Sequence, residues 1–591
     1  MRIYPVIDFL ETEICFLAEV DIKGTTYRFS SFPIELDNDG GGQTFYEGKL
    51  SDPDFNQELL EVGQIKLSSN SMSMGLVFPF NVARKQMLGV GIDNALVTLY
   101  FVTIKRGNPE QTYEERIAFF RGVIREPVYG HPNADEGYVE FSIENEIYVN
   151  DSSMLRALNG DLTLFDNFQF SREFFVGAGA IEDIINPAGL MLANDYHQGK
   201  TIPAIIGSPG ETDRIDGTSI TYPATPAYIA AVDLGAAPHP NIFVLLAGHT
   251  VDAATVTVQD NKGNIVTTRP VYNGVGQKGE IYAYTYFDNQ TIDFDQSDSG
   301  LQYFVRWTDG GGAISPFAGG ALERGGDLLT WALESLKIDY DREAFAAVRP
   351  VLNEYVFAGY INDISIKIYE FIQKYVIPFL PVTLSTGARG VYPVIDHRNT
   401  ELFMTPRATI TADELFERIT PVTPRESEIV NDLVVQYASG FARTIQMSSW
   451  GNISANVEGN EYKGVVQIRA SRLEGVNAPY EIISPYCIIS QQRYGVQSSV
   501  IALDYVHDRD TAIKIGLDHI RRKSLPEKTC TYRAAFSYGY LMIGDVIDLT
   551  DSDISLSNST VQIVGKQYDG ASWLYAIMYQ ENPIDNIRVT A

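Results

Sequence analysis

Short runs of alternating apolar and polar residues occupy most of this chain, and such alternation predicts β-strands with one buried face. Turn residues separate the runs; NKGN, around Gly263, lies between two of them and predicts a hairpin. We expect strands at 95–104, 116–124, 137–149 and 199–208, in EIYAYTYF, LQYFVRW and SEIVNDLVVQYA, and in CTYRAAF, DVIDLT, TVQIVGKQY and SWLYAIMYQ. These runs are rich in Val, Ile, Tyr and Thr, so the chain is predicted to be mainly β.

Three stretches change to the 3.6-residue period of amphipathic helices. They are 325–340 with Asp327 as its N-cap, 362–381 with Asp363 as its N-cap, and 508–526, which has acids at its start and bases at its end. The predicted apolar faces are Leu328, Trp331, Ala332, Ser335 and Leu336 in the first, Ile364, Ile368, Phe371, Ile372 and Tyr375 in the second, and Ile513, Gly516, Leu517 and Ile520 in the third. Pro378 and Pro381 are expected to end the second helix.

Changes of pattern divide the 591 residues into four predicted segments, in line with about 100–200 residues per domain. Residues 1–150 form an N-terminal β-rich domain, and 151–320 a β-rich middle or insertion domain. Residues 321–410 mix helices and strands. Residues 411–591 form a C-terminal β-barrel domain with one helix, at 508–526. The fold class is therefore a multi-domain α+β protein, mainly β with a few helices.

The pentapeptide YPVID occurs twice, at 4–8 and at 392–396. The residues that follow each copy do not align, because YRFSSFPIELD follows the first and ATITADELFERIT the second. We interpret both copies as strands in which proline occupies an edge position, and not as a duplication.

Charge limits the function classes. The chain has 45 basic and 75 acidic residues, for a formal charge of −30. This balance argues against a protein that holds nucleic acid through its phosphates. Two interpretations stay open: a soluble acidic protein, or a surface that must repel DNA, such as the wall of a conduit through which DNA slides.

No residue pattern predicts a catalytic, cofactor-binding or metal site, so we do not expect an enzyme. Cys15, Cys487 and Cys530 are too few and too scattered for a disulfide framework or a zinc site, and the seven histidines have no ligand spacing. Two acidic, glycine-containing loops, at 37–42 and 293–300, are interpreted as solvated turns, with a calcium loop left open. The N-terminus does not have the pattern of a signal peptide, and no apolar run is long enough to span a membrane.

Four motifs follow one another in the C-terminal third: SEIVNDLVVQY at 427–437, SQQRYGVQ at 490–497, the helix at 508–526 and LMIGDVIDLT at 541–550. In this order they resemble the hub proteins at the tail tip of long-tailed bacteriophages and of related gene transfer particles. The helical region ending in YVIPFLPV and the GKTIPAIIG strand resemble parts of the same proteins. The resemblance covers about 320–591 and, weakly, 199–210; the first 150 residues match only in their β-rich character.

The resemblance assigns architectural roles to seven residues. Asn431 and Asp432 are expected to start a core strand, Arg493, Tyr494 and Gly495 to form a turn between barrel strands, and Gly544 and Asp545 to open a late strand. Glycine suits a backbone position with positive φ, and an aspartate after it can accept hydrogen bonds from neighbouring backbone.

The resemblance also implies a homotrimer whose β-barrel domains form a ring that continues the tail tube. Such a hub joins the six-fold tube and its distal tail protein to a three-fold tip, meets the tape measure protein, and holds a central fibre or spike. Genome DNA passes through the channel without specific binding. The expected location is the tail tip of a virion, after assembly in the bacterial cytoplasm.

Two other functions remain open from the sequence. One is a carbohydrate-binding tail adhesin that grips sugars with exposed Tyr and Trp rings. The other is a tail-associated cell-wall hydrolase, although no segment is large enough for the barrel-type glycosidase module of some relatives of the hub proteins.

Overall fold

The chain is a mainly β, multi-domain protein whose strands form several sheets. The computed structural model of the chain describes residues 12–22, 24–51, 54–58, 72–79, 92–130, 136–145, 190–192, 204–209, 225–233, 241–252, 256–260, 265–266, 268, 270–275, 281–287, 303–307, 320–335, 338–361, 368–387, 389–396, 405–413, 416–424, 429–439, 462–471, 480–569 and 572–580.

The first 150 residues contribute ten strands. They are β1 Thr12–Ile22, β2 Thr25–Ser30, β3 Ile34–Asp37, β4 Gln43–Gly48, β5 Asp54–Glu58, β6 Met72–Pro79, β7 Leu96–Lys105, β8 Asn108–Pro109, β9 Ile117–Gly130 and β10 Glu136–Asn145. Antiparallel pairing runs in the order β2-β1-β7-β9-β10-β6-β5. The strands predicted at 95–104 and 116–124 are confirmed, and the described part of 137–149 is β10.

The strands nearest the C-terminus form a closed ring. They are β23 Thr409–Thr411, β24 Phe416–Arg418, β25 Thr423–Pro424, β30 Lys528–Ala534, β31 Val546–Asp551, β32 Leu556–Tyr568 and β33 Trp573–Tyr579. Pairing follows β23-β31-β32-β33-β30-β24, and the turn between β23 and β24, with a single bridge between Asp413 and Phe416, connects the two ends of this series. The four strands predicted from CTYRAAF to SWLYAIMYQ are confirmed.

The two ends of the chain share one core. Strand β5 pairs with β32, so the N-terminal strands continue into the C-terminal ring. Buried aromatic side chains from both parts meet at Trp573, whose ring centroid lies 5.7 Å from that of Phe101 and 6.5 Å from that of Phe16. Aromatic rings bury large apolar areas, so this contact joins the predicted first and last segments in a single core.

A separate eight-stranded sheet lies in the middle of the chain. Its strands are β11 Leu190–Leu192, β13 Thr225–Asp233, β14 Asn241–Ala247, β15 Val256–Asp260, β16 Ile265–Val266, β17 Tyr272–Val275, β18 Ile281–Phe287 and β19 Tyr303–Trp307. The hairpin predicted around Gly263 is confirmed by the antiparallel pairing of β15 with β16. Strand β12, Ala204–Ile206, belongs to the predicted strand at 199–208.

A helical unit connects these parts. It contains α1 Gly325–Ser335, α2 Arg342–Leu352, β20 Gly359–Ile361, α3 Ile368–Tyr375 and the hairpin β21 Val382–Gly387 and β22 Gly390–Ile395. The second YPVID copy is part of β22, which pairs with β21 alone among the described strands and so has an edge position for Pro393. The first copy lies outside the described residues.

The helical unit shares its core with a four-stranded sheet from the predicted C-terminal segment. That sheet has the order β28-β27-β26-β29, with β26 Asp432–Ser439, β27 Tyr462–Arg469, β28 Tyr480–Ile483 and β29 Ser498–Ala502. Helices α4 Pro485–Tyr494 and α5 Arg509–Lys523 belong to the same unit. Helix α5 lies so close to the sheet that a Cβ at Gly516 would come within 2.6 Å of Ile468 and 2.8 Å of Val435.

Two helix starts differ from prediction or lie outside the description. Helix α1 begins at Gly325, so the prediction that Asp327 is its N-cap is wrong. Asp327 instead lies in the first turn and exchanges two hydrogen bonds of 3.0 Å with the side chain of Asn353, after α2. The described part of the second predicted helix starts at Ile368, and its predicted cap, Asp363, lies outside the described residues. The α5 prediction is confirmed, and Asp508 caps that helix by accepting from Thr511 N.

Candidate functional site

The seven residues singled out from the sequence lie in two places. Asn431, Asp432, Tyr494 and Gly495 come together at one end of the four-stranded sheet, with Arg493 in the last turn of α4. Gly544 and Asp545 lie just before β31, at the junction between the C-terminal ring and the helical unit.

Asn431 is the central hydrogen-bonding residue of the first place. The residue is fully buried, directly before β26. Its side-chain amide donates to Gly495 O at 2.8 Å and to Ser490 Oγ at 2.9 Å, and its side-chain oxygen accepts from Gln497 N at 2.7 Å. Asn431 thus uses all its side-chain polar atoms to hold the segment between α4 and β29, as buried polar groups require.

The expected turn between barrel strands is corrected by the structure. Arg493 and Tyr494 are the last residues of helix α4, and Gly495 is its C-cap, with φ +71° and an N–H that donates to Gln491 O. Glycine is favoured at such a helix end because it has no Cβ to oppose positive φ. Helix α4 was not predicted from the sequence because SQQRY has no clear apolar face.

Asp432 lies beside a partly buried ion cluster on the sheet. Arg469 approaches Asp432 at 3.2 Å and Glu481 at 3.5 Å. Asp432 also accepts a hydrogen bond from Ser498 Oγ at 2.9 Å, which attaches the start of β26 to the start of β29. The charges are arranged to hold three strands in register.

Gly544 is the tightest point of the second place. Its φ is +87°, and a Cβ there would lie 2.6 Å from the side chain of Val394. Val394 belongs to the second YPVID copy, in β22. The glycine therefore allows both the backbone conformation and the close approach of the helical unit to the ring.

Buried and partly buried side chains donate hydrogen bonds to the carbonyl groups of the segment 538–544. Tyr392 donates to Ile543 O at 2.8 Å, Gln562 to Gly544 O at 3.2 Å, and Tyr575 to Tyr538 O at 2.9 Å. Lys566 donates to two of them, Gly539 O at 2.7 Å and Leu541 O at 2.9 Å. These hydrogen bonds pair five carbonyl groups of the segment with side chains of β22, β32 and β33.

Lys566 and Asp545 form the electrostatic centre of this junction. Lys566 is buried, with its ammonium group 4.4 Å from the ring centroid of Trp573. Burial lowers the pKa of Lys566 to about 7, and the charge of Asp545 opposes that shift. Burial raises the pKa of Asp545, against the opposing effects of the Met542 N–H, Arg407 and Lys566.

Sequence reasoning missed Lys566, Gln562 and Tyr575, because their roles depend on where β32 and β33 pass under the segment. Tyr392 belongs to the second copy of YPVID, but the sequence predicted only a strand there. The arrangement as a whole positions backbone and joins domains.

The cysteines and the acidic loops considered in the sequence analysis gain little support as reactive or metal-binding sites in the described parts of the chain. Burial raises the pKa of Cys487 to about 12 and that of Cys530 to about 11, so both thiols stay protonated near neutral pH. No group of three His, Cys, Asp or Glu side chains that could hold a metal ion occurs among the described residues. The 37–42 loop is the turn between β3 and β4, and the loop at 293–300 lies outside the description. None of the described helices is long and apolar enough to cross a membrane.

Comparison with known proteins gives structural similarity alone. No protein-family profile and no curated protein sequence matches the chain. A tail protein from Neisseria meningitidis MC58 is 7% identical, over 96% of this chain and 97% of that one, with a TM-score of 0.30.

Two further solved structures are similar. The virion of a native gene transfer agent particle matches 74% of this chain and 97% of its own, with 12% identity and a TM-score of 0.34. The PdpA-VgrG complex, in a lidless form, matches 97% of this chain and 65% of its own, with 6% identity and a TM-score of 0.25.

Proposed function

We propose that this chain is a structural virion protein, the trimeric hub at the distal end of a phage tail. Its neighbours would be the tail tube with its distal tail protein, the tape measure protein, and a central fibre or spike. It would line or close the channel through which DNA leaves, and it would have no catalytic activity of its own.

The supporting observation is the joined β framework. The ring of C-terminal strands continues through β32 and β5 into the N-terminal strands, around one aromatic core. Such a framework is rigid because its strands are paired across both ends of the chain, and rigidity is what a load-carrying ring needs. The net charge of −30 is in line with a wall that DNA passes without binding.

Location is the direct test of the proposal. Tailed particles from the cell that encodes the chain would be labelled with a gold-conjugated antibody against it and imaged by electron microscopy. Gold at the tail tip is the expected result. Gold on the head, along the whole tail or on no particle would reject the hub function.

A peptidoglycan zymogram tests the absence of cell-wall cleavage. The purified chain is expected to produce no clearing, and clearing would reject the purely structural role.

One observation favours a second candidate, sugar binding by the middle sheet. Tyr272 is exposed on edge strand β17, and its ring stacks on Tyr284 at 5.5 Å, with Tyr286 completing the group. Exposed aromatic rings of this kind can stack on sugars. A screen of bacterial surface glycans by thermal shift would detect it: a shift that disappears in Tyr272→Ala supports the adhesin, and no shift with any glycan rejects it.

A further inference from the structure

Exposed apolar side chains are concentrated in one short part of the chain. Ten large apolar residues are exposed among the described residues, and six of them fall within 480–500. The six are Tyr480, Ile483, Ile488, Tyr494, Val496 and Val500. Scattered single residues of this kind are ordinary, but a concentration marks an interaction surface.

Three of these residues lie in the two outer strands of the four-stranded sheet, two lie in helix α4, and Val496 lies between α4 and β29. Tyr480 and Ile483 are in β28, which pairs only with β27 in the described part of the chain, whereas Val500 is in β29, which pairs only with β26. The two outer strands have four and five residues and run in opposite directions. An apolar outer strand with unpaired backbone groups is a template for another strand.

The β29 end is held in a fixed shape. Asn431 binds Gly495 O and Gln497 N, Gln497 binds Tyr494 O at 3.3 Å, and Ser498 binds Asp432. The exposed side chains of Val496 and Val500 are thus presented on ordered backbone. A surface that is already ordered loses less entropy on binding.

Charge identifies the partner. The chain has a formal charge of −30, so two copies repel each other through most of their surface. Residues 480–500 contain only two charged side chains, Glu481 and Arg493, whereas 20% of the whole chain is charged. Arg469 lies 3.5 Å from Glu481 and is shared with Asp432 at 3.2 Å, and Arg509 adds a positive charge over the Tyr480 ring, 5.1 Å from its centroid. This is a surface through which two copies of an acidic chain can meet without repulsion.

We propose that β29 of one copy docks, antiparallel, against β28 of the next copy, so that the four-stranded sheets join head to tail. A head-to-tail contact generates a ring when its rotation closes. The inference deepens the trimeric hub proposed above and rests on it for the number of copies. It specifies which strands form the contact between subunits.

Three double variants test the contact. One changes the β29 end, Val496→Lys with Val500→Lys, and one changes the β28 end, Tyr480→Lys with Ile483→Lys. The control, Phe45→Lys with Val128→Lys, alters side chains that are 53% and 59% exposed in other strands, against 63% and 59% for Val496 and Val500. Lysine on an edge strand blocks pairing with another strand.

Light scattering across a concentration series gives the mass of each. We expect about 197 kDa, three times 65.7 kDa, for the natural chain and the control, and 65.7 kDa for each edge variant alone. An equal mixture of the two edge variants keeps one intact contact and is expected at about 131 kDa, twice 65.7 kDa. Circular dichroism spectra of all three variants should match that of the natural chain, because all the altered side chains are exposed. The edge variants should melt below the natural chain and the control, because association stabilises the folded state.

Other results overturn the proposal. If the β29 variant associates as the natural chain does, or if only one of the two edge variants is impaired, the head-to-tail contact is wrong. A natural chain that remains at 65.7 kDa up to about 100 μM, a hundred times a micromolar Kd, would also overturn it. The hub function is tested separately. Gold labelling away from the tail tip would reject the hub and leave the contact standing. Labelling at the tail tip together with an unimpaired β29 variant would reject the contact and leave the hub standing.

Discussion

At the scale of single residues, Lys566 gives the protein a measurable pH dependence. Its pKa is about 7 in the folded chain, against 10.5 for an ordinary lysine. Between these pH values the unfolded chain binds the extra proton, so stability rises with pH above 7.

Lys566→Met keeps the apolar stem and removes the titration. Above pH 7, we expect the unfolding free energy of the C-terminal ring to rise by roughly 1 kcal/mol per pH unit more in the natural chain than in the variant. Denaturant unfolding at pH 6 and pH 9 measures this gain. An equal difference between the two proteins at both pH values would contradict it.

A substitution at Gly544 tests both the positive φ of this residue and its close packing against the helical unit. Gly544→Ala is expected to destabilise the chain by more than the roughly 1–3 kcal/mol of a strained φ, because the added Cβ also meets Val394. Gly107→Ala is the control, since Gly107 has φ +80° with open space around its Cβ position. Thermal unfolding should place the Gly544 variant below the control. Equal melting temperatures would show that Val394 gives way without cost.

At the scale of elements, the end of α4 and the start of β29 depend on Asn431. Asn431→Ala removes the partner of Ser490 Oγ, which is buried, and the side-chain hydrogen bonds to Gly495 O and Gln497 N; a buried polar group left without a partner costs about 1–3 kcal/mol. We expect a lower melting temperature and faster hydrogen exchange at 494–498. Gln492→Ala, at an exposed position of α4, is the control and should change neither. Unchanged exchange in the Asn431 variant would mean that other contacts order the segment.

Comparison of the predicted with the observed elements shows which of them the sequence patterns could predict. The strands and α5 were predictable because their apolar period matches their one buried face, and because α5 has acidic residues at its start and basic residues at its end. Helix α2 was missed, since Pro350 interrupts its sequence, yet that proline falls in the last turn. The site residues Asn431 and Gly544 were found as motifs, but their partners were not, since Ser490 and Val394 are distant in sequence and are brought there by packing.

At the scale of the whole molecule, two buried histidines and one partly buried histidine predict sensitivity to acid. Burial lowers the pKa values of His249, His507 and His519 to about 4, whereas an ordinary histidine has 6.5. The unfolded chain therefore binds more protons between pH 6.5 and 4, and stability falls as the pH decreases through that range. Melting temperatures at pH 7 and pH 5 should differ accordingly.

His249 isolates one part of this effect. Its Nε2 accepts from Ile205 N at 2.8 Å, so protonation would set two donors against each other and release β12. His249→Gln cannot be protonated, and its melting temperature is expected to fall less between pH 7 and pH 5 than that of the natural chain. An equal fall in both would assign the acid sensitivity to other groups.

The sequence by itself determined the local elements, the mainly β class and the electrostatic character, because period, turn residues and charge are properties of neighbouring positions. Tertiary structure alone decided that β5 pairs with β32 and that residues 431–523 pack with the helical unit, outside the ring formed by 409–418 and 528–579. It also decided that Lys566 holds Gly539 and Leu541. These contacts join residues far apart in the chain, and burial strong enough to repay the ordering of such contacts depends on all the elements at once.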